Sequence, residues 1–248
     1  MFEERCAAVS PTPQDRRLAM ELVYGCVRRR ETLNALLTAF LSRPWSDVEP
    51  GLGRLLRLGA YQLALLTSIP PHAAVSETVL LARQLHKPQW AGFVNGVLRN
   101  LARALTDEYD ALPSSRGILW GEPPLLVRDS PTAGEAPASG APGAELDRPR
   151  FRRIDRDAFP DPVRDPAGYL TAAGSFPRWL VDRWLARQGW EESLRLAAWF
   201  NGPGRMSLRV NPLRTDRSRV LEVLAACGVA AAPGDSPACI RLGQTVRV

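Results

Sequence analysis

Between residues 12 and 105 apolar side chains return every three or four positions in five successive stretches, and prolines punctuate them. That period predicts helices and excludes strands over the same span. Thr12-Pro13 is a cap and first-turn pair. The helix it opens carries Leu18, Leu22, Val23 and Cys26 and runs to Arg28-Arg29-Arg30. A second holds Leu33, Leu36, Leu37, Phe40 and Leu41, with Pro44 and Pro50 bracketing the next connection. The third runs from Leu52 to Leu66, and Pro70-Pro71 stops it and starts a fourth with Ala74, Val75, Val79, Leu80 and Ala82. Pro88 opens the fifth, with Trp90, Phe93, Val94, Val97, Leu98 and Leu101. Gly25, Gly59 and Gly96 lie inside these helices. Each costs about 1 kcal/mol against alanine, so the expected compensation is close approach of a neighbouring helix.

The rest of the chain reads differently. The segment 131–143 is built almost wholly from Pro, Gly, Ala and Ser, and such a run cannot bury enough apolar surface to offset its ordering entropy. Charge divides the chain at the same place. Residues 1–104 hold 13 basic and 8 acidic side chains, residues 105–165 hold 8 and 12, and residues 166–248 hold 11 and 6. The expected organisation is a helical bundle over 1–111, a long acidic linker over 112–165 that is mostly disordered, with Ile118-Leu119-Trp120 as its candidate for a short ordered piece, and a small α+β unit over 166–248. In that unit Tyr169–Ala173, Pro177–Gln188 and Glu191–Phe200 read as helices, and Met206–Asn211 and Cys239–Leu242 as strands. Asp216 caps a helix between the strands that Gly228 ends. A strand–helix–strand unit needs a further covering layer, so its completeness stays open. The fold class is mainly α.

Scarce residues limit the chemistry. His72 follows two prolines at a helix start and reads as a cap or packed polar group; His86 reads as a cation near a helix end. Neither has a nucleophile beside it. Cys6, Cys26, Cys227 and Cys239 show no C-x-x-C spacing, so neither a zinc site nor a disulfide framework is expected. Cys26 and Cys239 fall in core patterns. The triplets Gly51-Leu52-Gly53 and Gly202-Pro203-Gly204 lack the strand, the helix and the third glycine of a phosphate loop. The stretch from Leu55 to Ile69 contains Arg57 and is shorter than a membrane span. The start Phe2-Glu3-Glu4-Arg5 is no signal peptide. The expectation is a cytoplasmic protein with no metal, no membrane contact and no cofactor pocket of its own.

Basic clusters are the stronger signal. Lys87 is the single lysine among 32 basic residues. Arginine suits phosphate recognition, but a GC-rich genome produces the same bias, and composition alone does not separate the two. The candidates are Arg16, Arg17, Arg28, Arg29, Arg30, Arg54, Arg57, Arg99 and Arg103 in the helical region, then Arg209 and Arg214, with Arg205, Arg217 and Arg219 nearby. Arg99 and Arg103 are four apart and share a helix face. Glu77 and Asn95 stand among apolar residues, which predicts a buried polar network reaching Arg99 or Tyr61.

Four strings in order go beyond composition: Asp15 to Arg28, Leu56 to Leu63, Ile69 to Val79 and Gly92 to Arg99. They closely resemble the NusB-like domain at the front of bacterial small-subunit rRNA (cytosine-C5)-methyltransferases, the RsmB/Sun family. The strings Ser175 to Leu180 and Ser207 to Thr215 resemble the family's intermediate domain. The resemblance implies a helical RNA-binding domain, then a domain that helps position small-subunit rRNA. It also implies a following S-adenosylmethionine-binding domain with a catalytic cysteine in a Pro-Cys context, which adds to the base. This sequence has no Pro-Cys dipeptide and no Gly-rich cofactor loop, so no catalytic or cofactor residue is carried over; the cofactor is expected only for a full-length relative. In the family another helix usually precedes the Asp15 string, where this chain has fourteen residues. Three readings follow: an RNA-binding front part of such an enzyme, inactive alone; a stand-alone NusB-type antitermination factor; and a protein-binding module whose arginine bias is genomic. The first two take RNA as partner, and no protein partner is identified.

Overall fold

The computed structural model describes residues 12–66, 68–120, 149–202, 206–234 and 236–242. The chain divides into two compact units, one up to Gly202 and one from Pro203.

The first unit begins as the apolar period dictates. Helix α1 (Pro13–Arg28) is closed at its front by a reciprocal cap: Thr12 Oγ1 accepts from the Asp15 amide at 3.2 Å, and the Thr12 amide donates to Asp15 Oδ2 at 3.1 Å. Helices α2 (Arg30–Thr38), α3 (Pro50–Leu65), α4 (Pro71–Gln84) and α5 (Gln89–Ala104) follow, with a single 3₁₀ turn at Trp45–Asp47. Prolines at the first turns of α1, α3 and α4 cost no hydrogen bond there. Leu33, Leu36, Leu37, Leu56, Val94, Leu98 and Leu101 are fully buried between these helices.

The expected linker is corrected at both ends. Strands β1 (Leu105–Asp110), β2 (Gly117–Trp120) and β3 (Arg150–Ile154) form an antiparallel sheet in the order β1-β3-β2. Leu119 pairs with Phe151, and Leu105 with Ile154. Ile118, Leu119, Phe151 and Ile154 join the helical core with no exposure. Ile118-Leu119-Trp120 looks isolated in the sequence because the strand it pairs with lies about thirty residues away and local period carries no such information. The Pro/Gly/Ala-rich run 131–143 lies outside the described residues.

Helices α6 (Pro166–Gly174) and α7 (Arg178–Asn201) complete this unit. The Asp165 side chain caps α6 by accepting from the Gly168 amide at 2.8 Å. Its C-terminus bonds to the start of α2: Ser175 Oγ accepts from the Glu31 amide at 2.9 Å, and Thr32 Oγ1 donates to the Ala173 carbonyl at 3.0 Å. These helices therefore pack with the front domain. Gly189, at φ 74°, breaks α7 between the two helices expected there; the left-handed conformation suits glycine.

The second unit holds β4 (Ser207–Arg209), α8 (Arg217–Ala226), β5 (Ala231–Pro233) and β6 (Cys239–Leu242), with sheet order β4-β6-β5. Asp216 caps α8 through the Arg219 amide at 2.9 Å, as its position predicts. Strand β5, short and with only Ala231 half-buried, carries no readable alternation. Val210, Ile240 and Leu242 form its small core.

Of the three helical glycines, two sit at close approaches. A Cβ on Gly25 would overlap the Tyr61 ring, and one on Gly59 would overlap Leu98 and stand 3.1 Å from Thr78 Oγ1. Gly96 has open space where a Cβ would go, so the packing expectation is corrected there.

Burial of polar groups makes the unit alkali-sensitive. Cys26 donates to the Arg57 carbonyl, and burial pushes its thiol from 9.0 to about 12. The folded chain keeps that proton where the unfolded chain loses it, so the contribution is complete below pH 9.0 and is lost as pH rises toward about 12. Burial also raises the Tyr61 and Tyr169 phenols, in the same sense. Melting temperature is expected to fall over that interval, and to fall less steeply in Cys26→Ala. Identical slopes would assign the loss to other groups.

Candidate nucleic-acid interface

The arginines separate into structural and surface sets. Arg29 is buried, and its Nη2 donates to the Leu119 carbonyl at 2.6 Å. Burial pulls its guanidinium down to about 10, so it stays charged at neutral pH. It is one of the predicted contacts that the structure removes from the surface: the run Arg28-Arg29-Arg30 sits at a helix junction, where one side chain in three must point inward. Arg57 is half-buried; its Nε donates to Asn34 Oδ1 at 2.7 Å, and its guanidinium lies 4.9 Å from the Trp45 ring centre. Arg152 and Arg156, not singled out in the sequence, end helices. Arg152 donates to the Leu63 and Ala64 carbonyls at the end of α3, and Arg156 to the Ala39 carbonyl just past α2 at 2.7 Å. Unpaired carbonyls at helix ends carry partial negative charge, which a guanidinium complements.

The surface set falls in three places. Arg16 and Arg17 are exposed on the first turns of α1, with Arg17 Nε donating to the Pro13 carbonyl at 3.2 Å. Arg28, Arg30 and Arg54 are exposed, and Arg30 and Arg54 lie close enough to Arg57 to disfavour its charge. Arg30 is paired with Glu31 at 2.9 Å. The third place is a groove of about 730 Å³ between α4 and α5. Arg99 and Arg103 line it from α5, and Arg83 and His72 face them from α4. The shared helix face predicted for Arg99 and Arg103 is therefore present, and Arg83 is the cation that sequence spacing missed: it lies across a helix–helix contact.

Glu77 and Asn95 also line this groove. Glu77 is exposed and Asn95 half-buried, so the buried network expected for them is corrected. Tyr61 instead donates to Glu21. In the second unit Arg209 and Arg214 are exposed. Arg217 bonds the Gly234 and Ser236 carbonyls, and Arg219 pairs with Glu222 at 3.6 Å. Arg205 lies outside the described residues. Among the described residues no three His, Cys, Asp or Glu side chains are placed to hold a metal, and no helix is long and apolar enough to cross a membrane.

A helical bundle closed by a small sheet, with exposed arginines in three places, and a second small α+β unit later in the chain define the class: a NusB-type domain followed by a ferredoxin-like one. Residues 3–103 match the NusB family, and residues 176–248 match the Methyltr_RsmF/B-like, ferredoxin-like domain. The probable ribosomal RNA small subunit methyltransferase B of Bacillus subtilis is 30% identical over 222 residues, covering 90% of this chain and 38% of the relative. That of Synechocystis is 30% identical over 233 residues, covering 94% and 41%. The ribosomal RNA small subunit methyltransferase B of Cronobacter sakazakii is 35% identical over 144 residues, covering 58% and 33%. The crystal structure of PH0851 superposes with a TM-score of 0.50 at 12% identity, covering 94% of this chain and 41% of that one; this likeness concerns the fold alone. The chain belongs to the RsmB/Sun family of small-subunit rRNA methyltransferases and corresponds to its N-terminal part. It spans about two fifths of the length of the first two relatives.

Proposed function

We propose that this chain is the RNA-binding front portion of an S-adenosylmethionine-dependent small-subunit rRNA cytosine-C5 methyltransferase, and that it transfers no methyl group alone. The observation that carries this reading is the placement of exposed arginines on a NusB-type domain whose relatives are rRNA methyltransferases. Arginine forks bind phosphate in bidentate fashion, and each neutralised phosphate releases counterions. The antitermination-factor reading leaves residues 176–248 without a role, and that segment matches the ferredoxin-like domain of the methyltransferases.

The described residues do not fit the methyl donor. Both sheets are antiparallel and three-stranded, so neither provides the crevice at the carboxyl ends of parallel strands where such cofactors sit. Cys26 is held neutral by burial, which disqualifies it as a nucleophile.

The test is binding of the chain to small-subunit rRNA fragments across a salt series, with methyl incorporation followed in the same samples. Specific phosphate contacts give a linear fall of log affinity with log salt, with a slope near −0.7 per phosphate on single strands. The expected result is salt-steep binding without incorporation. No binding at low salt would refute the RNA reading, and methylation by the chain alone would refute its inactivity.

A further inference from the structure

The groove between α4 and α5 has more in it than charge. Arg83, Arg99 and Arg103 are exposed there and form no ion pair among the described residues. Several other surface arginines are paired, Arg30 with Glu31, Arg116 with Asp157, Arg178 with Asp182 and Arg219 with Glu222; Arg28, Arg54, Arg209 and Arg214 are exposed like the groove arginines but do not line this apolar groove. Between the three guanidinium groups lies an apolar surface from Val79 and Ala102, with the exposed Leu80 beside it and the buried Val75 at its floor. Asn95 stands at the same surface, half-buried and without a hydrogen-bond partner among the described residues. Its carboxamide offers one acceptor and two donors. Glu77 is the groove's one acidic side chain, so the cations outnumber it three to one before His72 is counted.

This combination selects its occupant. A duplex presents phosphates on a convex backbone and keeps its bases stacked inside, so it would use the arginines and leave the apolar surface and Asn95 idle. A single-stranded segment presents a phosphate and an unstacked base together. Resting on the RNA-binding reading above, we propose that the α4/α5 groove is a subsite for an unpaired nucleotide of single-stranded RNA. Arg83, Arg99 and Arg103 hold its flanking phosphates, Val79, Leu80 and Ala102 take the face of the base, and Asn95 meets the base edge.

The test compares a short labelled single-stranded RNA with a blunt RNA duplex of the same composition, both titrated with the full chain across salt. The triple variant Arg83→Gln/Arg99→Gln/Arg103→Gln is expected to lose tenfold or more in affinity for the single strand, and its salt slope is expected to shrink by about 2, at roughly 0.7 per lost phosphate contact. Duplex affinity should change little. Leu80→Glu removes no cation but places a carboxylate at the apolar surface, and it is expected to weaken single-strand binding in the same direction. All four positions are solvent-exposed, and unchanged melting temperatures would show that the variants fold. Photocrosslinking from a thiolated uridine in the single strand should mark α4 or α5. If the unmodified chain binds the single strand and both variants bind it equally well, the groove assignment is overturned while the RNA reading stands. If the unmodified chain binds no RNA, both fall. Displacement from this groove by an acidic peptide, with no crosslink to RNA, would overturn the assignment in favour of a protein partner.

Discussion

Replacing Arg152 by alanine is expected to destabilise the first unit by about 3–5 kcal/mol, the range for removing one partner from a buried charged network. The side chain is buried, yet its donors are widely used. Nη1 reaches the Leu63 carbonyl at 2.9 Å and the Ala64 carbonyl at 3.1 Å; Nε reaches the Thr106 carbonyl at 2.8 Å. Nη2 pairs with Asp107 at 3.3 Å, and the guanidinium lies 6.0 Å from the Trp120 ring centre. One cation thus joins the end of α3 to strands β1 and β2 from its place on β3. Truncation strands carbonyls that water cannot easily reach, and the cost of such orphans exceeds the net gain of the bonds that satisfied them. Arg153, next in sequence, points outward to Glu108 and Asp110. Its alanine variant should melt close to the unmodified chain, because exposed pairs contribute little. Denaturant unfolding of both variants checks the contrast; equal effects would show that the network is incidental.

The second large effect comes from glycine positions that sequence treats alike. Gly25→Ala is expected to destabilise by up to about 2 kcal/mol net, since overpacking typically costs about 1–3 kcal/mol and helix propensity returns only about 1. The added methyl would displace the Tyr61 ring, which is buried and donates to Glu21. Gly59→Ala, against the fully buried Leu98, should behave similarly. Gly96→Ala meets nothing within 4 Å and should stabilise by up to about 1 kcal/mol. Three thermal melts decide the matter. Destabilisation at Gly96 as large as at Gly25 would contradict the packing account.

The helical region was readable because its evidence is local. Thr12, Pro50 and Pro71 mark helix starts in the sequence and occupy those starts in the fold. The break of α7 at Gly189 lies where the two apolar runs separate. The sheet was not readable, because Ile118-Leu119 and Phe151 each look like short isolated runs until β2 and β3 pair. The same holds for the candidate interface. Arg99 and Arg103 share a face by helical spacing alone, but Arg83 joins them only through the packing of α4 on α5. Arg29 illustrates the reverse, a surface-looking arginine drawn inside by the turn between α1 and α2.

The arginine excess has, besides genomic bias and RNA affinity, a third source. Arg29, Arg57, Arg152 and Arg156 serve the fold, with backbone carbonyls or side-chain partners for their donors. Composition counts these together with Arg83, Arg99 and Arg103, which present their guanidinium groups to solvent.

By itself the sequence determined the five helices, the Thr12 and Asp216 caps and the family resemblance, because period, capping chemistry and ordered motifs act within a few residues of one another. Only the tertiary structure decided which arginines face water, where the two units divide and that residues 105–154 contribute a sheet to the helical core. Those outcomes depend on contacts between residues far apart in the chain, and neither composition nor local spacing encodes which distant carbonyl, ring or helix a given side chain will meet.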